Sequence, residues 1–442
     1  MKMKRVCTIL LCFLLIAGCT SNKPTIIQKE KANNTVTINF LTGSLNKNVL
    51  KYMNEIMTDF HKKYPDIDVA YEGYQQNQNT DKKLVDVIEE RLKNDEATDV
   101  ACMDVKNIFD FVDEGKLVDL SDMPFANQMV DIAKKDSTVN GKVYSVPAAL
   151  VSYCMVINMD MLNDCGLSKP TNWDEFLHCC EVLKQKGYRP IVGTRKFMKL
   201  IIYAGGLSQI YLSEQSEEYI KKLNNGEIPI SDFTRPGFEM LQTLIDKGYL
   251  DPEEALKYDP SELSDIYTKD AGCFAFTYSS YLNTDQLDFN FALTGLPMKD
   301  GNIALIASDR RMSVFSKSKH IEECKKFVDY FSDKNVQKKT METFGKFPAY
   351  TNANIPLDER LNDLQEIITH GNTMLIQDYN LKFEQWANLD TLCDDLLAGK
   401  TVDEQLAAFD AIQQKAINKL KKADLGFFYL ISLIFFIPSL ST

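Results

Sequence analysis

Apolar and polar positions alternate along TVTINFL (residues 35–41), which predicts a strand. Val49, Leu50, Met53, Ile56, Met57 and Phe60 then recur at helical spacing and stop at Tyr64-Pro65. A second strand is expected from Ile67 to Tyr71, and a second helix through Leu84, Val87, Ile88 and Leu92. Asp99 to Asp104 is a short apolar strand with polar ends, and Asn107 to Glu114 a short helix stopped by Gly115. The β-α-β-α order predicts an α/β sheet. Sites in such sheets lie beyond the carboxyl ends of the strands, which points to Thr42 and Ser44 and to Met103, Asp104 and Asn107.

The clearest helix is TNWDEFLHCCEVLKQKG (residues 171–187). Thr171 and Asp174 have near capping-box spacing, Phe176, Cys180 and Leu183 form one apolar face, and Gly187 is a suitable stop. Trp173 in its first turn is expected to pack beneath the cap.

Both ends of the chain are apolar. Residues 1–18 begin with Lys2, Lys4 and Arg5, continue as a short apolar run and finish on Ala17-Gly18, the pattern of a secretory signal peptide. The run is shorter than the roughly 20 residues of a spanning helix. Ile16-Ala17-Gly18-Cys19 resembles a bacterial lipobox, which implies cleavage before Cys19 and its lipidation, anchoring the chain to the bilayer. Residues 19–34 form a polar tether. At the other end, residues 423–442 carry the apolar stretch LGFFYLISLIFFIPSL, open to three readings: a membrane contact, a buried strand, or the product of a shifted reading frame.

Composition narrows the function classes. The chain has 442 residues, too many for one ordinary core, and two lobes are expected. A formal charge of −12 argues against nucleic acid as a partner. Eight of the eleven cysteines lie beyond Cys19, none in CxxC spacing, and there are only four histidines, so no metal site or cofactor is expected and the thiols should be buried and free.

From Gly141 the chain reads GKVYSVPAALVSYCMVINMDMLNDCGLSKPTNWDEFLHCCEVLKQKGYRPI, and further on KDAGCFAFTYSSYL (269–282), LPMKDGN (296–302), SKSKHIEECKKFVDYFSD and FGKFPAY. Trp386 precedes Gly399-Lys-Thr-Val-Asp-Glu by thirteen residues. The order of these segments resembles the extracellular solute-binding proteins of bacterial ABC importers, in their sugar-binding, maltose-binding-protein-like branch, over roughly residues 36–420. The resemblance implies an α/β, two-lobed periplasmic-binding-protein-like fold with a multi-strand hinge. Lobe one would hold 35–147 with 273–315, and lobe two 148–272 with 316–422. It also implies a monomer that captures a carbohydrate, an oligosaccharide by family habit, and passes it to a membrane ABC permease without a catalytic step.

Sugars present C–H faces that stack on rings and hydroxyls that need donors and acceptors. By position in the family pattern, Trp386, Tyr153, Phe197, Tyr278, Tyr281 and Ser280 are candidate ligand contacts, with Asp104, Arg195 and Asp309 as polar partners. Asp104 reads equally well as a helix N-cap. Arg195 suits hydroxyls or a uronic or sialic carboxylate, and equally a plain surface role. A peptide, polyamine or metal chelate is the main alternative ligand. A secreted glycoside hydrolase is the remaining one, although no nucleophile elbow, HExxH or phosphate loop is present.

Overall fold

The computed structural model describes residues 25–27, 35–43, 46–74, 82–96, 98–279, 287–353, 359–376 and 380–435. Cys19, Ser44, Ser280 and Tyr281 lie outside them.

The expected first lobe forms from its periodicity. Val36–Thr42 pairs in parallel with Ile67–Gly73 on one side and Val100–Cys102 on the other, with Lys47–Lys63 and Leu84–Lys93 as the connecting helices. Thr25–Ile27 adds an antiparallel edge beside Ile67–Gly73, and Met312–Val314 one beside Val100–Cys102. Helix Lys47–Lys63 buries Val49, Tyr52, Met53, Ile56 and Phe60, and its cap Asn46 accepts from the amides of Asn48 and Val49.

A second sheet is built around Ala149–Asn158, an almost continuously apolar strand. It pairs antiparallel with Gly301–Asp309, Phe274–Tyr278 and Phe291–Thr294, while Leu296–Met298, Ile191–Val192 and Thr373–Leu375 extend the sheet. Its side chains alternate between two cores. Met155 and Ile157 face the second-lobe helices, whereas Cys154 and Val156 join the core that also holds Phe40, Phe60 and Phe327.

This pairing corrects the expected lobe boundaries. The strands Phe274–Tyr278, Phe291–Thr294, Leu296–Met298 and Gly301–Asp309 belong to the second sheet, and within 273–315 only Met312–Val314 joins the first. Conversely, helices Ile321–Asp329 and Lys334–Phe344 pack on the first lobe: Phe327 lies 5.3 Å from both Phe40 and Phe60, and Thr340 is 2.6 Å from the Tyr52 hydroxyl. Ladder hydrogen bonds fix which sheet a strand joins, and the order of motifs along the chain does not contain them. Among the described residues the chain passes between the sheets at three places: near Val146–Ala149, at Asp309–Met312, and near Lys346–Tyr350, which bridges Leu150 on one side and Met129 on the other.

The second lobe rests on one very close helix crossing. Arg195–Tyr211 lies against Ser231–Asp246, where a Cβ placed on Gly237 would stand 2.4 Å from the Ile202 carbonyl oxygen and 2.8 Å from its Cα. Those are backbone atoms and have no rotamer to yield. Gly237→Ala should therefore destabilise the lobe by about 1–3 kcal/mol, the range of overpacked cores, read as a lower urea midpoint. An unchanged midpoint would show that the helices separate freely.

The capping expectation at 171–187 moves by one residue. Asn172 is the N-cap and accepts from the Glu175 amide, while the Glu175 carboxylate accepts from the Thr171 amide and hydroxyl. Trp173 packs on Phe176 with ring centres 5.5 Å apart. The eight cysteines beyond Cys19 are free thiols, six of them buried. Val402–Phe435 is one continuous helix, so the reading of the apolar end as a buried strand is set aside up to Phe435. Among the described residues, no helix is long and apolar enough to cross a membrane.

Candidate functional site

A cleft of about 480 Å³ opens beside the crossing strands. Four aromatic rings form its apolar wall. Tyr153 is central because the register sets it opposite Tyr278 on the neighbouring strand, with ring centres 5.5 Å apart. Trp386 meets Tyr153 edge-on at 5.1 Å, and Phe197 approaches at 6.2 Å. Trp386 opens the helix Trp386–Leu397, Phe197 lies in the first turn of Arg195–Tyr211, and the two helices pack together. Tyr153, Tyr278 and Trp386 are half-buried, so their rings are supported from behind and still reachable.

The polar lining consists of lysine–carboxylate pairs. Lys199 Nζ is 2.7 Å from Asp390 Oδ1, donates to the Trp386 carbonyl at 3.0 Å, and sits 3.8 Å from the centre of the Trp386 ring. A cation at that distance holds the indole by its π face. Burial pushes the Lys199 ammonium below its ordinary pKa, and the hydrogen bond to Asp390 works against that shift. Lys196 pairs with Asp259 at 3.1 Å. Burial works to raise the Asp259 carboxyl, and the Ser261 amide together with Lys196 outweighs it and lowers it. At the crossing, Lys346 Nζ is 2.7 Å from Asp309 Oδ2, and Arg310 Nη1 is 2.9 Å from the same oxygen. Burial would raise the Asp309 carboxyl, yet Arg310 and Lys346 hold it below its usual range.

Tyr153, Phe197, Tyr278, Asp309 and Trp386 thus come together from five separate segments. Arg195 does not join them. Its Nε donates to Asp394 at 3.1 Å, and this pair, with Lys199–Asp390 one turn along, clips the two helices together. In this arrangement Arg195 serves to join the two helices. Met103 is buried in the small core with Phe111 and Phe315, because its amide donates to the Arg311 carbonyl and turns the side chain inward. Asp104 is the N-cap of Val105–Asp113 with no side-chain capping bond, and it stays exposed. Asn107 is half-buried on that helix, away from the cleft lining. Thr42 is buried at the carboxyl end of its strand, on the lobe-one side beside Tyr71 and Cys102.

Lys196, Lys199, Lys346, Asp259 and Asp390 were not singled out in the sequence. The signal present was a double one: Arg195/Lys199 and Asp390/Asp394 each stand four apart, as matched charges on two helices would.

The profile of the family described as bacterial extracellular solute-binding protein matches residues 43–338. A relative named multiple sugar-binding protein, from Streptococcus mutans, is 23% identical over 351 residues, covering 75% of this chain and 78% of that one. The unliganded structure of RafE from Streptococcus pneumoniae covers 88% of this chain and 100% of its own, with 20% identity and a TM-score of 0.68; RafE has also been solved with raffinose. A sugar transporter structure from Bacillus licheniformis, in complex with stachyose, covers 87% and 100%, with 17% identity and a TM-score of 0.64.

Proposed function

The chain belongs to the bacterial extracellular solute-binding protein family, and from that premise we propose that it captures a carbohydrate in the cleft between its lobes for delivery to an ABC permease. The observation that carries this reading is the pairing of a four-ring aromatic wall with carboxylates held in place by lysines. Rings take the C–H faces of a pyranose, and the remaining carboxylate lone pairs accept its hydroxyls. The named sugar ligands and sugar-binding names of its relatives support the same class. Closure of two lobes about a hinge is a population shift driven by the ligand's preference for the closed form. A permease that reads the closed form then collects the sugar. Lipid on Cys19 would hold the protein, as a monomer, on the outer face of the membrane beside it.

The reading includes no catalytic step. Glycoside hydrolysis needs a carboxylic acid with a raised pKa, whereas Arg310 and Lys346 keep Asp309 low and the Ser261 amide with Lys196 keeps Asp259 low. A thermal-shift screen of the purified full chain tests the proposal against mono- and oligosaccharides, peptides, polyamines and metal chelates. A bound ligand raises the melting temperature by mass action. A rise with saccharides is expected; rises confined to the other classes would overturn the sugar reading.

A further inference from the structure

The cleft is not electrically balanced. Lys196 and Lys199 each have a carboxylate of their own, Asp259 and Asp390. At the crossing, two cations share one: Arg310 and Lys346 both bind Asp309 Oδ2. The other groups acting on the Arg310 charge are Cys102, Tyr52 and Tyr71, which are neutral at physiological pH because burial raises all three. Among the described residues, one positive charge is left over.

That charge is held in place. Arg310 has a left-handed backbone, φ 46°, at the step between the sheets, and its guanidinium lies 5.1 Å from the centre of the Phe344 ring and 5.9 Å from that of Tyr52. The side chains of Arg310 and Lys346 are only 13% and 8% exposed. A surplus cation so little hydrated is costly by itself and strongly favours an anionic partner. Asp309 and Lys346 line the cleft, so such a partner would come from the ligand.

Resting on the carbohydrate reading above, we infer that the preferred ligand is an acidic saccharide whose single carboxylate is received by Lys346 at the cleft wall, with Arg310, on the same Asp309 oxygen, supplying the surplus charge. One surplus charge matches a carboxylate, which is a monoanion. A sugar phosphate near pH 7 carries about −1.5 to −2 and would leave the site overcompensated.

The test is calorimetric titration of the full chain with matched oligosaccharides: hexuronate-bearing, neutral, and phosphorylated. The uronate form should bind about tenfold or more tightly than its neutral counterpart, the size of a charge-assisted hydrogen bond, and the preference should shrink with added salt. Arg310→Gln, which cancels the surplus charge, and Lys346→Met, which also removes the receiving ammonium, should each abolish the preference, while Arg310→Lys should keep part of it. Neutral or phosphorylated sugars binding as tightly as the uronate would overturn this inference while leaving the carbohydrate reading intact. Binding of no saccharide would overturn both.

Discussion

Replacing Asp136 by alanine should cost about 3–5 kcal/mol of folding stability, the loss expected when one partner of a buried ion pair is removed. Asp136 Oδ2 accepts from Nε of Arg311 at 2.9 Å and from the Ser308 amide at 3.1 Å, and stands 2.7 Å from Arg311 Nη2 as an ion pair. Their side chains are 2% and 7% exposed, so the variant strands the guanidinium in the interior. The amide of Ser308 and the guanidinium of Arg311 flank the central crossing between the sheets, and Asp136 ties both to the helix Asp131–Ser137. The effect should appear as a lower urea midpoint. The double variant Asp136→Ala/Arg311→Met should recover part of the loss, because no charge is then stranded. A single-variant midpoint within error of the parent would show that the pair contributes nothing net.

Trp386→Ala should weaken saccharide binding by about 2–3 kcal/mol, roughly 30- to 150-fold, as loss of a central aromatic anchor does. The ring has three supports: Tyr153 at 5.1 Å, Tyr203 at 5.3 Å and the Lys199 ammonium at 3.8 Å. A ring held on several sides loses little freedom when a sugar stacks on it. Trp386→Phe should retain part of the affinity. Lys199 keeps its bond to Asp390 in both variants, so the melting temperature should fall far less than the affinity. An unaltered dissociation constant for Trp386→Ala would remove that residue from the site.

Some of this was legible in the sequence. The first lobe declares itself because each of its elements carries its own period, as in Val36–Thr42 and Lys47–Lys63. The aromatic wall was accessible through resemblance, which named Tyr153, Phe197, Tyr278 and Trp386 by position. What stayed hidden depends on pairing. The register that sets Tyr153 opposite Tyr278 also moves Phe274–Asp309 strands into the second sheet, and residues 125 apart in sequence carry no local mark of it. Arg195 and Lys199 look alike as cations on one helix. Only packing decides that the first meets Asp394 outside the cleft while the second lies buried beneath Trp386. The shared carboxylate of Asp309 joins residues 37 apart and is equally invisible to local pattern.

The chain has two tryptophans, and only Trp386 lines the cleft, since Trp173 packs on Phe176 elsewhere. Fluorescence titration of the Trp173→Phe protein therefore reads the cleft through a single reporter. The account predicts a saturable change in Trp386 emission with oligosaccharides and none with peptides or polyamines. Saturation by a peptide or polyamine, with no response to any saccharide, would contradict it.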